Sequence, residues 1–255
     1  MNVLEEIDQE WGEDFLERLR SRPDLSGASP PFPVSMSHGD LVEIRGDSGS
    51  GKSLLLLHLI CKVLTPVNDG GCGAGVLLLD LDHKIKVSDL HRLITSQGKS
   101  GEAAKACLSN LFVMSGYDAG SNDLCVYQLQ RILRKHRNIS LVAVDSAGAF
   151  FHAERLDRDI FFEKFAAKRI QRIAKTLEKF HVSLVYTLQP FAKKASVNDG
   201  DTGDTEEQWD GSGSVITHKL SLKGDIMQIE SKEEELKLRY VINNFSDINL
   251  SQLSE

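Results

Sequence analysis

Residues 46–53 read Gly-Asp-Ser-Gly-Ser-Gly-Lys-Ser, set between the apolar run LVEI at 41–44 and the run LLLLHLI at 54–60. This is a complete G-x-x-x-x-G-K-[ST] pattern in the strand–loop–helix context that gives it meaning. Without a Cβ at Gly46, Gly49 and Gly51 the backbone can wrap an anion and aim N–H groups at it, and Asp47, Ser48 and Ser50 complete the loop. Lys52 adds a mobile positive charge, and Ser53 offers a hydroxyl to Mg²⁺. The helix that starts at the last glycine turns its positive end to the same point, so loop, charge and dipole all favour a polyphosphate.

Working outward, the patterning alternates. A strand at 41–45 and a helix over 52–64 lead through the turn-rich TPVNDGGCGAG to a strand at 76–82, a βαβ unit that predicts a parallel sheet. Helices follow at 86–96 and 101–109, a strand at 111–115, a helix at 122–137, a buried strand SLVAVDS at 140–146, a long amphipathic helix at 159–180 and a strand at 182–189. The runs THKLSLKG, IMQIES and LKLRYVIN predict three short antiparallel strands finishing the sheet. Residues 3–20 have helical apolar spacing, and 23–35 carry four of the six prolines, marking a linker or extended arm. The expected organisation is an N-terminal helix and Pro-rich linker over 1–35 and a core domain over 36–255, with a mobile acidic loop at 190–213.

The 255 residues are 41% hydrophobic and 26% charged, ordinary for one large α/β domain, and no apolar stretch approaches the roughly 18–20 residues of a membrane span. The acidic start MNVLEEIDQEW is neither a secretory signal nor a transit peptide, so the chain is expected in the cytosol or nucleus. Cys61, Cys72, Cys107 and Cys125 are too scattered for a zinc site and read as reduced thiols. A net charge of −7 gives no global basic face, so any contact with DNA must be local or shared with a more basic partner. The basic tail Arg131, Arg134, Lys135, His136 and Arg137 of the helix at 122–137 reads as a solvated helix end rather than a DNA patch.

A Mg²⁺ at such a loop needs a carboxylate at the tip of a hydrophobic strand, and Asp145 in LVAVDS meets that need. A second acid pair, Asp80 and Asp82, ends the strand after the loop helix, and one of the two can face the terminal phosphate. In this order GDSGSGKS, GGCGAGVLLLDLD, LVAVDSAGAF and VSLVYTLQ resemble the RecA-type recombinases of eukaryotes over about residues 36–250. HGDLVEIRGDSGSGKS, the Asp-x-Asp of LLLDLDHK and the Trp209 segment before VITHKLSL are similar to a short paralogue of that family.

The resemblance implies an α/β fold with a RecA-like P-loop NTPase core: a mostly parallel sheet flanked by helices, with short antiparallel C-terminal strands. It implies ATP and Mg²⁺ as cofactors. Lys52 and Ser53 match the phosphate lysine and magnesium hydroxyl, Asp145 the magnesium acid, and Gln189 the glutamine that couples the terminal phosphate to the following DNA-binding loop. Read as a residue alone, Gln189 serves equally as a strand-end amide capping loop backbone. Asp82 falls where active recombinases carry a catalytic glutamate, so ATP binding with weak or no ATPase activity is expected in what is otherwise a family of DNA-dependent ATPases.

The DNA-facing loops depart too. Arg155 and Arg158 sit among Glu154, Asp157 and Asp159, and Lys193 and Lys194 precede six acids, an arrangement that repels a phosphate backbone. Single-stranded or branched DNA is therefore expected to be met mainly through a complex. Residues 1–35 leave no room for the family's helical DNA-binding domain and hold no Phe-x-x-Ala docking segment, which implies a chain that receives a neighbour's linker without offering its own. The expected role is a terminal assembly or mediator subunit in a hetero-oligomer of recombinase paralogues, beside the paralogue designated D, acting in homologous-recombination repair in the nucleus, with some in the cytoplasm. The alternative is a stand-alone RecA-like P-loop ATPase, motor or kinase-like.

Overall fold

The computed structural model describes residues 22–29, 32–155, 162–190, 216–231 and 235–252. The N-terminal helix expected over 3–20, the acidic loop beyond 190, and Arg158, Lys193 and Lys194 lie outside the described residues. Six α-helices occur among the described residues: α1 (Lys52–Leu64), α2 (Val87–Ser96), α3 (Gly101–Leu108), α4 (Ala119–Lys135), α5 (Phe151–Arg155) and α6 (Phe162–Glu178). The strands are β1 (Leu41–Gly46), β2 (Gly75–Asp80), β3 (Leu111–Ser115), β4 (Ile139–Asp145), β5 (Ser183–Leu188), β6 (His218–Lys223), β7 (Ile226–Ser231), β8 (Glu235–Asn244) and β9 (Asp247–Gln252).

They form one sheet in the order β3-β2-β4-β5-β1-β6-β7-β8-β9. β3 through β6 in that order run parallel, and the last three pairings are antiparallel. Three details differ from the sequence reading. β6 lies parallel to β1, because the chain returns from β5 by a long crossover, and only its second neighbour reverses direction. β9, whose polar DINLSQ carries a weak alternation, forms through the hairpin with β8. The DNA-facing loop expected around Arg155 begins instead as the short helix α5.

Strand alternation divides the core into two layers. Val42, Ile44, Val76, Leu78, Leu141, Ala143 and Val185 face one cluster with α1, α2 and α3. Leu77, Leu79, Val142, Val144, Leu184 and Tyr186 face the other with α4 and α6. The near-continuous apolar runs of the central strands are thus what a parallel sheet buried on both faces requires. The four cysteines are free and buried, and burial pushes the Cys61 thiol up to about 12 and Cys72 to about 11.

The proline-rich stretch resolves into an arm that is part of the core. Leu25, Ala28, Phe32, Val34 and Met36 are buried in the same cluster as α1. Arg22 donates to the carbonyls of Ile139 and Leu133, Ser140 Oγ donates to Pro23 O at 2.6 Å, and Ser183 Oγ to Ser37 O at 2.7 Å. The arm therefore straps the amino ends of β4 and β5, opposite the phosphate loop. Truncating Phe32, only 1% exposed, to alanine should cost about 3–5 kcal/mol of unfolding free energy. Urea denaturation measures this, and a loss below about 0.5 kcal/mol would mean that the arm lies outside the cooperative core.

Candidate nucleotide site

The phosphate loop leaves β1 at Gly46 and enters α1 at Lys52. Two of its glycines are required by what lies behind them. A Cβ on Gly46 would sit 2.7 Å from the Leu222 carbonyl oxygen of β6. Gly51 has φ +90, and a Cβ there would strike Tyr240 and Ile242 of β8. Tyr240 is buried and donates its hydroxyl towards Gly51 O at 3.4 Å, with its own pKa pushed up to about 12 by burial. The C-terminal strands, unremarkable in the sequence, thus form the wall against which the loop is moulded. A shallow depression of about 250 Å³ opens between Gly49, Ser50 and the β8 residues Tyr240–Ile242.

Lys52 is buried and folds back on its own loop, donating to Asp47 O at 2.6 Å. Burial depresses its pKa, and the neighbouring Asp145 opposes that shift. Asp145, 2% exposed, ends β4. Its Oδ1 accepts from Ser53 Oγ at 3.2 Å and from Thr187 Oγ1 at 2.5 Å, while Oδ2 has no hydrogen-bond partner among the described residues. The order β4-β5-β1 makes this possible: β5 lies between the loop strand and the acid strand, so Thr187 is interposed between them. Serine and aspartate, 92 positions apart, meet as a ready-made pair.

Asp80 ends β2 directly opposite Asp145 in register. It is buried, with Oδ1 unpartnered among the described residues. Burial raises its pKa and the Asp145 charge raises it further; Asp145 is likewise raised, mainly by burial. Two orphaned carboxylate oxygens and a serine hydroxyl at the positive end of α1 fit a hard divalent cation. The described residues hold no group of three or more His, Cys, Asp or Glu side chains able to cage one. Phosphate oxygens would have to complete the shell, as Mg²⁺ requires at nucleotide sites.

The structure brings together Gly46–Ser53 and Asp145. Asp82 lies just past the end of β2, paired at 3.0 Å with Lys84. Gln189 is exposed, one residue beyond β5. Arg155 closes α5, and the basic tail of α4 lies at the opposite end of the sheet from the phosphate loop. Sequence reasoning passed over Thr187, Lys84 and Tyr240; only the alternation that ends β5 beside β4 could have pointed to Thr187.

Because Asp80 and Asp145 hold a proton more tightly folded than unfolded, their charges oppose folding above the raised pKa, and that penalty is relieved as pH falls through it. Asp145→Asn keeps the acceptor for Ser53 and Thr187 while removing the charge. It should raise the thermal midpoint of the ligand-free chain at neutral pH by about 2–4 °C, a gain that shrinks as the pH is lowered towards the ordinary carboxylate range. Calorimetry across pH tests this, and a lowered midpoint at pH 7 would show the carboxylate to be net stabilising.

Residues 34–233 match the Rad51 family. The chain is also 28% identical over 214 residues to the DNA repair protein XRCC2 of Mus musculus, a similarity that covers 79% of this chain and 76% of the mouse protein. The match to the family spans the phosphate loop, both strand-end acids and the whole parallel part of the sheet, and on that ground this chain belongs to the Rad51 family.

Proposed function

We propose that this chain is a recombinase paralogue of homologous-recombination DNA repair, one that binds ATP with Mg²⁺ and serves as an assembly or mediator subunit beside other paralogues in the nucleus. The observation that carries the nucleotide reading is the meeting of Ser53 and Asp145 at 3.2 Å beside an unpartnered, buried carboxylate oxygen. Lys52 and the loop N–H groups would hold the phosphates, and Ser53 and Asp145, with Asp80 behind, the cation. A bound Mg²⁺ would neutralise phosphate charge.

Binding and turnover are separable here. Hydrolysis needs a base within hydrogen-bond reach of the attacking water. Asp82 is one methylene shorter than glutamate, and its carboxylate is engaged by Lys84. Gln189, one residue beyond β5, is a further polar side chain at these strand ends, offered as the link to the segment that follows it. Slow turnover is the reading these features support.

The sheet also supports a partner role. β3 is an edge strand, paired among the described residues with β2 alone. Its free backbone groups, flanked by exposed Val113, Tyr117, Leu124 and Tyr127, suit an extended linker added as a further strand. Paralogue D is the neighbour proposed, and DNA would be met mainly through the assembly, with Arg155, Arg158, Lys193 and Lys194 as the local candidates.

Affinity purification from nuclease-treated nuclear extract should recover other Rad51-family chains in stoichiometric amounts, and recovery of the chain alone would favour a stand-alone ATPase. In parallel, the purified wild-type chain should bind ATP in a Mg²⁺-dependent way that Lys52→Ala abolishes, with phosphate release no faster than that variant's. Rapid turnover by the wild type would overturn the slow-hydrolysis reading.

A further inference from the structure

The turn after β2 carries a cation that the phosphate loop does not account for. The turn is fixed at two places. Leu81 and Asp82 donate their N–H groups to the Asp145 carbonyl at 2.6 and 3.1 Å. His83, held at φ 54, has Nε2 3.0 Å from Gly116 O and its ring stacked on Tyr117, centroids 4.6 Å apart. The turn that carries Lys84 is thus hung on the Asp145 carbonyl and on the end of β3, and its side chain is exposed.

The Lys84 ammonium pairs with Asp82 and is 62% exposed, so the pair is weak and readily exchanged. Its charge bears on the site: beside the larger effect of burial it pushes the Lys52 pKa down, and it favours the charged form of Asp145. An exposed lysine on a fixed backbone, near both the loop lysine and the cation acid and held by a single exchangeable carboxylate, is placed to answer an anion arriving between them. A triphosphate carries more negative charge than a diphosphate, and charge-assisted contacts to phosphate are stronger than those of a solvated lysine–carboxylate pair.

We propose that Lys84 is a second phosphate-binding cation, exchanged from Asp82 to the terminal phosphate of a nucleoside triphosphate, so that the site distinguishes tri- from diphosphate without hydrolysing it. This rests on the reading of the site as an ATP site. Lys84 is here a binding and specificity residue, and no proton or bond changes hands.

The test is competition of unlabelled ATP and ADP against a fluorescent ADP analogue, with Mg²⁺, on the full chain. Lys84→Ala should weaken ATP by about tenfold and ADP by less than about twofold, and Lys84→Arg should retain most of the preference. Asp82→Asn should tighten ATP in the wild-type background and lose that effect in Lys84→Ala, because a mere loss of repulsion would persist there. An unchanged ATP-to-ADP ratio in Lys84→Ala, with the wild type binding both, overturns this inference alone. Failure of the wild type to bind either nucleotide, or equal binding by Lys52→Ala, overturns the ATP-site reading beneath it.

Discussion

The carboxylate of Asp145 is the constraint on which the site is built. A buried acid is costly unless its oxygens are engaged, and here one oxygen takes two hydroxyl donors while the other has no partner among the described residues. The hydroxyls come from α1 and β5, the facing acid from β2, and the main-chain carbonyl of the same residue holds the turn that follows β2. Four elements are therefore registered on one residue at the carboxyl end of the sheet, where open α/β sheets place their ligands. An unpartnered buried oxygen is a cost to the folded chain, one that a cation held as proposed above would offset.

The loop opposite that acid is shaped from behind. β6 closes on Gly46 through backbone pairing, and β8 closes on Gly51 through Tyr240 and Ile242. β6 to β9 extend the sheet beyond β1, and β6 and β8 back the phosphate loop closely enough to exclude a side chain at Gly46 and Gly51. At the other side of the site, the turn at Asp82–Ile85 touches the end of β3 through His83, Gly116 and Tyr117. The nucleotide side of the sheet and its free edge thus share one short, well-anchored segment.

Much of the central core was legible because parallel strands buried on both faces must be apolar throughout, and runs such as VLLLD and LVAVD have few other readings. The loop motif, its lysine and serine, and Asp145 were legible for a related reason: phosphate and Mg²⁺ chemistry admits few residue types, at positions tied to a strand end and a helix start. The arm at 22–36 was less legible. Proline and glycine mark irregular backbone, but whether such backbone floats or packs depends on the apolar residues between them, and Leu25, Phe32 and Met36 had a surface to bury against only once β4 and β5 stood side by side.

By itself, then, the sequence determined the fold class, the phosphate loop and the acid that faces it, because local pattern and ligand chemistry leave those little freedom. Tertiary structure alone decided that Thr187 would stand between loop and acid, that Asp80 would lie buried beside Asp145 while Asp82 turned outward to Lys84, and that Tyr240 would back the loop. Each of these depends on strand order and register, which join residues far apart in the chain and leave no trace in the spacing of either partner.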